Sequence, residues 1–132
     1  AANWNLGLAA AGQLTVWDGA ALDPERSHNN IWARGGVDGP WEIDVTVGDG
    51  DDTLWRYRRD VAITRTWDRA VLESVGGVPY LAPELQLLFK SKTIRPKDQL
   101  DAEQTIPHLT SEQRRFLGEA LPTGHSWRAL LT

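Results

Sequence analysis

Short stretches of the first 81 residues alternate between apolar and polar positions, which is the pattern of half-buried β-strands. The clearest is WEIDVTV at residues 41–47, where Glu42, Asp44 and Thr46 separate four apolar residues. Successive side chains of a strand point to opposite faces, so Glu42 and Asp44 should share one face. We predict a strand here, and shorter strands at residues 4–9, 13–17, 29–34, 70–75 and 78–81, the last two joined by a two-residue turn at Gly76-Gly77.

A second alternating stretch, residues 53–59, follows a loop rich in glycine and aspartate. The spacing predicts that it forms an antiparallel hairpin with the preceding strand. In the register that joins opposite charges, Asp44 would face Arg56 and Glu42 would face Arg58.

The last third of the chain has helical spacing with capping signals. Pro83 and Pro96 suit the first positions of two helices, and Asp98 would lie in the first turn of the second. Thr110 and Gln113 form a capping box for a third helix. Together with the strands, these helices predict an α+β fold.

The length of 132 residues is that of a single domain with a core of its own. We predict one domain over residues 1–132, with a sheet-rich part at 1–81 and a helical part at 82–132. The chain contains no cysteine, which excludes a disulfide framework and a thiolate metal site.

Charge and hydropathy limit the classes of partner. The formal net charge of −4 argues against general nucleic-acid binding. No apolar run approaches the roughly 18 residues of a membrane span, and no secretory signal opens the chain. We therefore predict a cytoplasmic protein without a nucleic-acid or membrane partner.

Asp44, with Glu42 two residues before it, is the first candidate for chemistry. Two carboxylates on one face of a strand can bind magnesium or supply a general base for a hydroxyl nucleophile. The alternative is a surface salt bridge, because Arg56 and Arg58 would lie opposite in the predicted hairpin. The pattern leaves both interpretations open.

The second candidate is a cluster of four cations that includes every lysine of the chain. It consists of Lys90, Lys92, Arg95 and Lys97, with no acid before Asp98. Lysines near the end of a helix can simply complement its dipole, but Lys97 lies at the start of the next helix. A lysine ammonium is also a compact charge suited to phosphate, so both a phosphate site and a solvated basic corner remain open.

Residues 77–109, GVPYLAPELQLLFKSKTIRPKDQLDAEQTIPHL, carry the string KxKxxRPKDxxD. This string resembles the C-terminal part of nucleotidyltransferase-fold proteins related to aminoglycoside adenylyltransferases. The preceding GPWEIDVTV and WRYRRD are similar to the same family in order and spacing.

The resemblance implies transfer of a nucleotide from a nucleoside triphosphate such as ATP to a hydroxyl of a small, aminoglycoside-like acceptor. It implies Mg²⁺ as the cofactor, with Asp44 as both metal ligand and catalytic base. It also implies that Lys90, Lys92, Arg95 and Lys97 bind the nucleotide. Of these, Lys90 is the stronger candidate.

The sequence departs from the family at one point. The glycine-rich start and the acid-x-acid strand that supply two further metal ligands are missing from residues 1–132, as is methionine. We therefore expect a C-terminal portion of a longer transferase that is inactive alone. The alternative is a non-catalytic nucleotide- or protein-binding module of the same fold, in which an exposed sheet edge would favour a homodimer.

Overall fold

A computed structural model describes residues 3–23, 28 and 30–132. Backbone contacts divide the chain into two compact units. The first contains residues 1–52 and 56–62, and the second contains residues 53–55 and 63–132. A four-stranded sheet forms most of the first unit, and the helices belong to the second.

The sheet of the first unit is antiparallel, in the strand order β2-β1-β3-β4. Its strands are β1 (Trp4–Ala10), β2 (Gln13–Val16), β3 (Asn30–Gly35) and β4 (Ile43–Thr46). Ala11 and Gly12 join β1 to β2 and both have positive φ, 48° and 79°. Two such residues form the type I′ turn, whose twist matches that of the flanking strands.

The register gives the two faces of this sheet different chemistry. On one face, Asp44 lies opposite Trp32, which lies opposite Gly7. A Cβ atom added to Gly7 would lie 2.9 Å from Leu14 Cδ1 and 3.0 Å from Trp41 Cη2, so glycine lets these side chains cross β1. The opposite face carries the apolar residues Leu6, Leu8, Ile31, Ala33, Ile43 and Val45.

The predicted hairpin between residues 41–47 and 53–59 is wrong. β4 pairs with β3 instead, and the expected loop contains a short strand of its own. That strand, β5 (Asp49–Gly50), forms a second sheet with β6 (Leu54–Tyr57) and β7 (Asp60–Thr66), in the order β5-β6-β7. Alternation decides which side chains share a face, but packing far along the chain decides the partner strand.

A short hairpin opens the main part of the second unit. A single helical turn, α1 (Trp67–Ala70), leads into β8 (Val71–Glu73), which pairs with β9 (Pro79–Leu81). Gly77 between them has a φ of 75°, which an L side chain would strain. The chain does turn at Gly76-Gly77 as predicted, but the connection covers residues 74–78, so it is longer than the predicted two-residue turn and the strands are shorter.

Three helices follow the hairpin: α2 (Pro83–Lys90), α3 (Pro96–Thr105) and α4 (Ser111–Ala120). Short 3₁₀ helices cover Ile106–His108 and Ser126–Leu131. The capping box is confirmed, since Thr110 Oγ1 accepts from the Gln113 N–H at 3.2 Å and Gln113 Oε1 accepts from the Thr110 N–H at 2.9 Å.

Apolar side chains from these helices form the core of the second unit. Leu85 and Leu88 of α2, Leu117 of α4 and Trp127 are fully buried. Burial of each leucine contributes roughly 1.5–3 kcal/mol relative to exposure. Along the chain, most of the strands come before the main helices, which is an α+β fold, as predicted.

Candidate functional site

The four predicted cations lie at the corner between α2 and α3, called here the basic corner. Lys90 is the last residue of α2, Lys92 follows in the turn, and Arg95 and Lys97 flank the start of α3. The predicted cluster is therefore one local structure of the second unit.

Asp98 ties Arg95 into this structure. Its carboxylate accepts the Arg95 backbone N–H at 3.1 Å, Arg95 Nε at 2.6 Å and Arg95 Nη2 at 3.0 Å. These hydrogen bonds lower the pKa of Asp98 to about 2. Since Asp98 is buried, its contacts fix the first turn of α3 and commit Arg95 to a structural role.

Lys90 also pairs with an acid of α3. Its ammonium forms an ion pair with Asp101, one turn further along α3. Four cations and two acids leave the corner with a net charge of +2, where the sequence alone indicates +4. The spacing of Asp98 and Asp101 was a usable signal, because residues three apart share one face of a helix.

Lys92 and Lys97 differ from the other two cations. Both are exposed, and neither has an ion-pair partner within residues 3–23, 28 and 30–132. An exposed ammonium without an acid partner is available to an external anion. The structure thus separates two cations that build the corner from two that it leaves open.

A histidine that the sequence did not indicate holds the backbone of the corner. His125 Nδ1 accepts the Trp127 N–H at 3.1 Å, so the ring proton lies on Nε2. Nε2 then donates to the Ser91 carbonyl at 3.1 Å, between Lys90 and Lys92. His125 therefore connects the last 3₁₀ helix to the turn that carries Lys92.

Asp44 lies in the first unit, and its predicted partner is wrong. Asn30 Nδ2 donates to Asp44 Oδ1 at 2.7 Å and to Thr46 Oγ1 at 3.1 Å. Arg56 instead forms an ion pair with Asp51. The physical reason is the strand pairing, which places β3 beside Asp44 and the loop of β5 beside Arg56.

The residues around Asp44 do not form a metal site by themselves. Glu42 Oε1 accepts the Gly35 N–H at 3.2 Å and is committed to the backbone of β3. Across the described part of the chain, no three acids or histidines converge in a way that could hold a metal ion. Magnesium prefers several oxygen ligands, so Asp44 alone does not fit it as a resident cofactor.

A buried polar network in the second unit is structural. Glu84 is 1% exposed and accepts Arg65 Nη2 at 2.7 Å and Gln113 Nε2 at 2.8 Å. Arg65 also donates to Glu112 at 3.0 Å and lies 4.1 Å over the Phe116 ring. The Arg65 hydrogen bond lowers the pKa of Glu112. Both oxygens of Glu84 are thus satisfied, and the network packs β7 against α2 and α4.

Comparison of the chain with protein-family models, curated proteins and solved structures finds no match. Within the described residues, the helices are too short and too polar to pass through a bilayer.

Proposed function

We propose that this chain supplies the phosphate-binding corner and the general base of a cytoplasmic nucleotidyltransferase. Its substrates are a magnesium complex of a nucleoside triphosphate, such as MgATP, and a hydroxyl group of a small acceptor. Magnesium enters with the triphosphate in this proposal, which agrees with the lack of a resident ligand set among the described residues.

One observation carries the proposal: the KxKxxRPKDxxD motif divides into two kinds of cation. Lys90 and Arg95 pair with Asp101 and Asp98 and build the corner. Lys92 and Lys97 extend from it without an acid partner in the described ranges. A rigid turn that presents two open ammonium groups supports recognition of a phosphate chain.

The surroundings of Asp44 support its proposed role as the general base. Asn30 binds Oδ1, and no hydrogen bond within the described residues reaches Oδ2. In the proposed reaction, a general base accepts the proton of the acceptor hydroxyl while that oxygen attacks the α-phosphorus, and Asp44 is the candidate for this base. A new P–O bond forms, and the bond to the leaving pyrophosphate breaks.

Calorimetric titration of the chain with MgATP tests the first half of this proposal. We expect Lys92→Ala and Lys97→Ala each to weaken binding about 3- to 10-fold, as expected for loss of one charge-assisted contact. Arg115→Ala is the matched control, since it removes an exposed cation of α4 outside the corner. Equal affinities in all four proteins would refute the role of the corner.

A transfer assay with MgATP and a hydroxylated acceptor tests the second half, by comparing Asp44→Asn with the wild type. Loss of transfer with unchanged MgATP affinity supports Asp44 as the base. Unchanged turnover refutes that role.

A non-catalytic binding module is the second candidate. It is favoured by β4, an edge strand whose four residues are all classed as exposed, with Ile43 and Val45 each a little under half exposed. Nucleotide binding without transfer, together with concentration-dependent dimerisation in light scattering, would support this candidate over the enzyme.

A further inference from the structure

The two edge strands of the first unit's sheet, β2 and β4, differ in their protection against pairing with another strand. β4 carries the charge of Asp44. Beside it, the Glu42 N–H donates to the Ala33 carbonyl at 2.9 Å although the register pairs Ala33 with Ile43, so two residues meet one in a β-bulge. Charges and bulges are features that block pairing at the edge of a sheet, and β4 has both.

β2 has neither of these features. Its residues Gln13–Val16 include no charge and no proline, and all four are exposed. They pair with β1 in one regular register, and within the described residues β1 is the one strand that pairs with β2. Leu14 is 44% exposed and Val16 is 92% exposed. An uncharged edge strand with exposed apolar side chains is a ready template for another strand.

The hydrogen bonds of the β1–β2 hairpin show which backbone groups β2 presents at the edge. One residue beyond β2, the Trp17 N–H donates to the Leu6 carbonyl at 3.0 Å. Hydrogen-bonded and non-hydrogen-bonded pairs alternate along an antiparallel ladder. Residues 13, 15 and 17 therefore bond to β1, whereas the N–H and C=O groups of Leu14 and Val16 point outward from the sheet edge.

β2 is complementary to itself in an antiparallel register with a two-fold axis through Thr15. In this register, Leu14 of one protomer lies opposite Val16 of its partner, and the axis generates a second such pair. The outward N–H and C=O groups of both pairs can then exchange hydrogen bonds. Apolar side chains meet apolar side chains, and Thr15 meets Thr15 across the axis, which is a favourable cross-strand pair.

The neighbouring registers fit less well. An axis through Leu14 would place Val16 opposite Gly12, which belongs to the hairpin turn and has a φ of 79°. An axis through Val16 would place Leu14 opposite Asp18, which lies beyond the strand and accepts the Ala20 N–H at 2.9 Å. The axis through Thr15 is therefore the one that pairs the whole of β2.

We propose that this chain forms a homodimer in which β2 pairs antiparallel with β2 of its partner about Thr15. The two four-stranded sheets then join into one sheet of eight strands. Because the paired strands are short, the dimer is weak, with an expected Kd of about 10–200 μM. The pairing does not rest on the proposed function, since Asp44 lies on the other edge strand and stays uncovered.

Sedimentation velocity of the intact chain from about 10 μM to about 1 mM tests the proposal through a charge exchange at the axis. Thr15→Lys and Thr15→Glu each place like charges opposite one another and should raise Kd about tenfold or more. An equimolar mixture of the two variants places opposite charges there and should dimerise within about threefold of the wild type. Thr46→Lys is the matched control, since it changes a threonine of the other edge strand and should dimerise as the wild type does.

Amide hydrogen exchange then locates the interface. The Leu14 and Val16 amides point to solvent in a single protomer, so their exchange should slow as the concentration of the wild type rises. The amides of Asp44 and Thr46 on β4 should exchange at the same rate at every concentration.

Each outcome decides the proposal. A wild-type chain that stays monomeric at about 1 mM would overturn it, as would an equimolar Thr15 mixture that stays monomeric. Dimers that survive in both Thr15 variants and disappear in Thr46→Lys would overturn it in favour of the β4 edge. MgATP binding and transfer by a monomeric chain would support the proposed function and refute this interface. A dimer restored in the Thr15 mixture, in a chain that does not bind MgATP, would support the interface and refute the proposed function.

Discussion

The buried Glu84 carboxylate provides the sharpest test of how the second unit is held together. Glu84→Gln keeps the shape of the side chain but removes the charge that faces Arg65, whose side chain is only 12% exposed. The substitution also replaces one carboxylate oxygen, which accepts hydrogen bonds, with an amide NH₂ group, which donates them. In the wild type, Gln113 Nε2 donates to Glu84 Oε2 at 2.8 Å. The substitution therefore leaves a buried guanidinium short of its partner.

Removing one member of a buried ion pair typically costs about 3–5 kcal/mol. Arg65 keeps its contacts with Glu112 and with the Phe116 ring, which offset part of this cost. We therefore expect the free energy of unfolding to fall by about 2–4 kcal/mol in Glu84→Gln. Urea unfolding at neutral pH, followed by tryptophan fluorescence and circular dichroism, measures the change.

Glu119→Gln is the matched control, because Glu119 lies exposed on α4. It should change stability by less than about 0.5 kcal/mol. The double variant Arg65→Met with Glu84→Leu should cost less than the sum of the single variants, since it leaves no buried charge unpaired. A Glu84→Gln protein within 0.5 kcal/mol of the wild type would refute the reasoning.

Three further outcomes are expected in urea unfolding, the last of them together with a ¹H–¹⁵N spectrum. Because Arg95 lowers the pKa of Asp98 from 3.8 to about 2, the stability that Asp98 contributes should be complete above about pH 4 and lost as the pH falls towards 2. Its difference from Asp98→Asn should shrink over that range, and a constant difference would contradict the assignment. Ala11→Asn should add about 0.5–1 kcal/mol, because Ala11 has a positive φ that asparagine tolerates better; a loss would contradict the turn type. Gly7→Ala should cost about 1–3 kcal/mol through its contacts with Leu14 and Trp41 and shift the Trp41 indole signal, whereas an unchanged spectrum would contradict the packing.

Local signals in the sequence predicted much of the second unit. Pro83 and Pro96 begin their helices, Thr110 caps the third, and the Gly76-Gly77 pair turns the hairpin. Each of these signals acts within a few residues, through a fixed φ, a missing N–H or a short hydrogen bond.

The first unit was harder to predict because its strand partners lie far apart in the sequence. The alternation of residues 41–47 correctly placed Asp44 and Thr46 on one face, but it could not choose between β3 and β6 as the partner. Opposite charges favoured the wrong choice, Arg56, because a surface ion pair contributes little to register. The hydrogen bond from Asn30 to Asp44 spans 14 residues and carries no local signal.

In the candidate site, too, the local signals were predictable and the contacts that depend on the fold were not. The sequence located the basic corner, since Lys90 and Lys97 are close in the chain. It overestimated the free charge, because Asp98 and Asp101 fold back onto the corner only when α3 forms. The lysine it favoured, Lys90, is paired, while Lys92 and Lys97 stay open.

A ¹H–¹⁵N spectrum of the intact chain titrated with MgATP tests the central claim most directly. If the basic corner binds the triphosphate, the largest shifts fall on residues 91–97 and disappear in Lys92→Ala with Lys97→Ala. Shifts that cluster elsewhere, or that persist in this double variant, would contradict the assignment of the corner as a phosphate site.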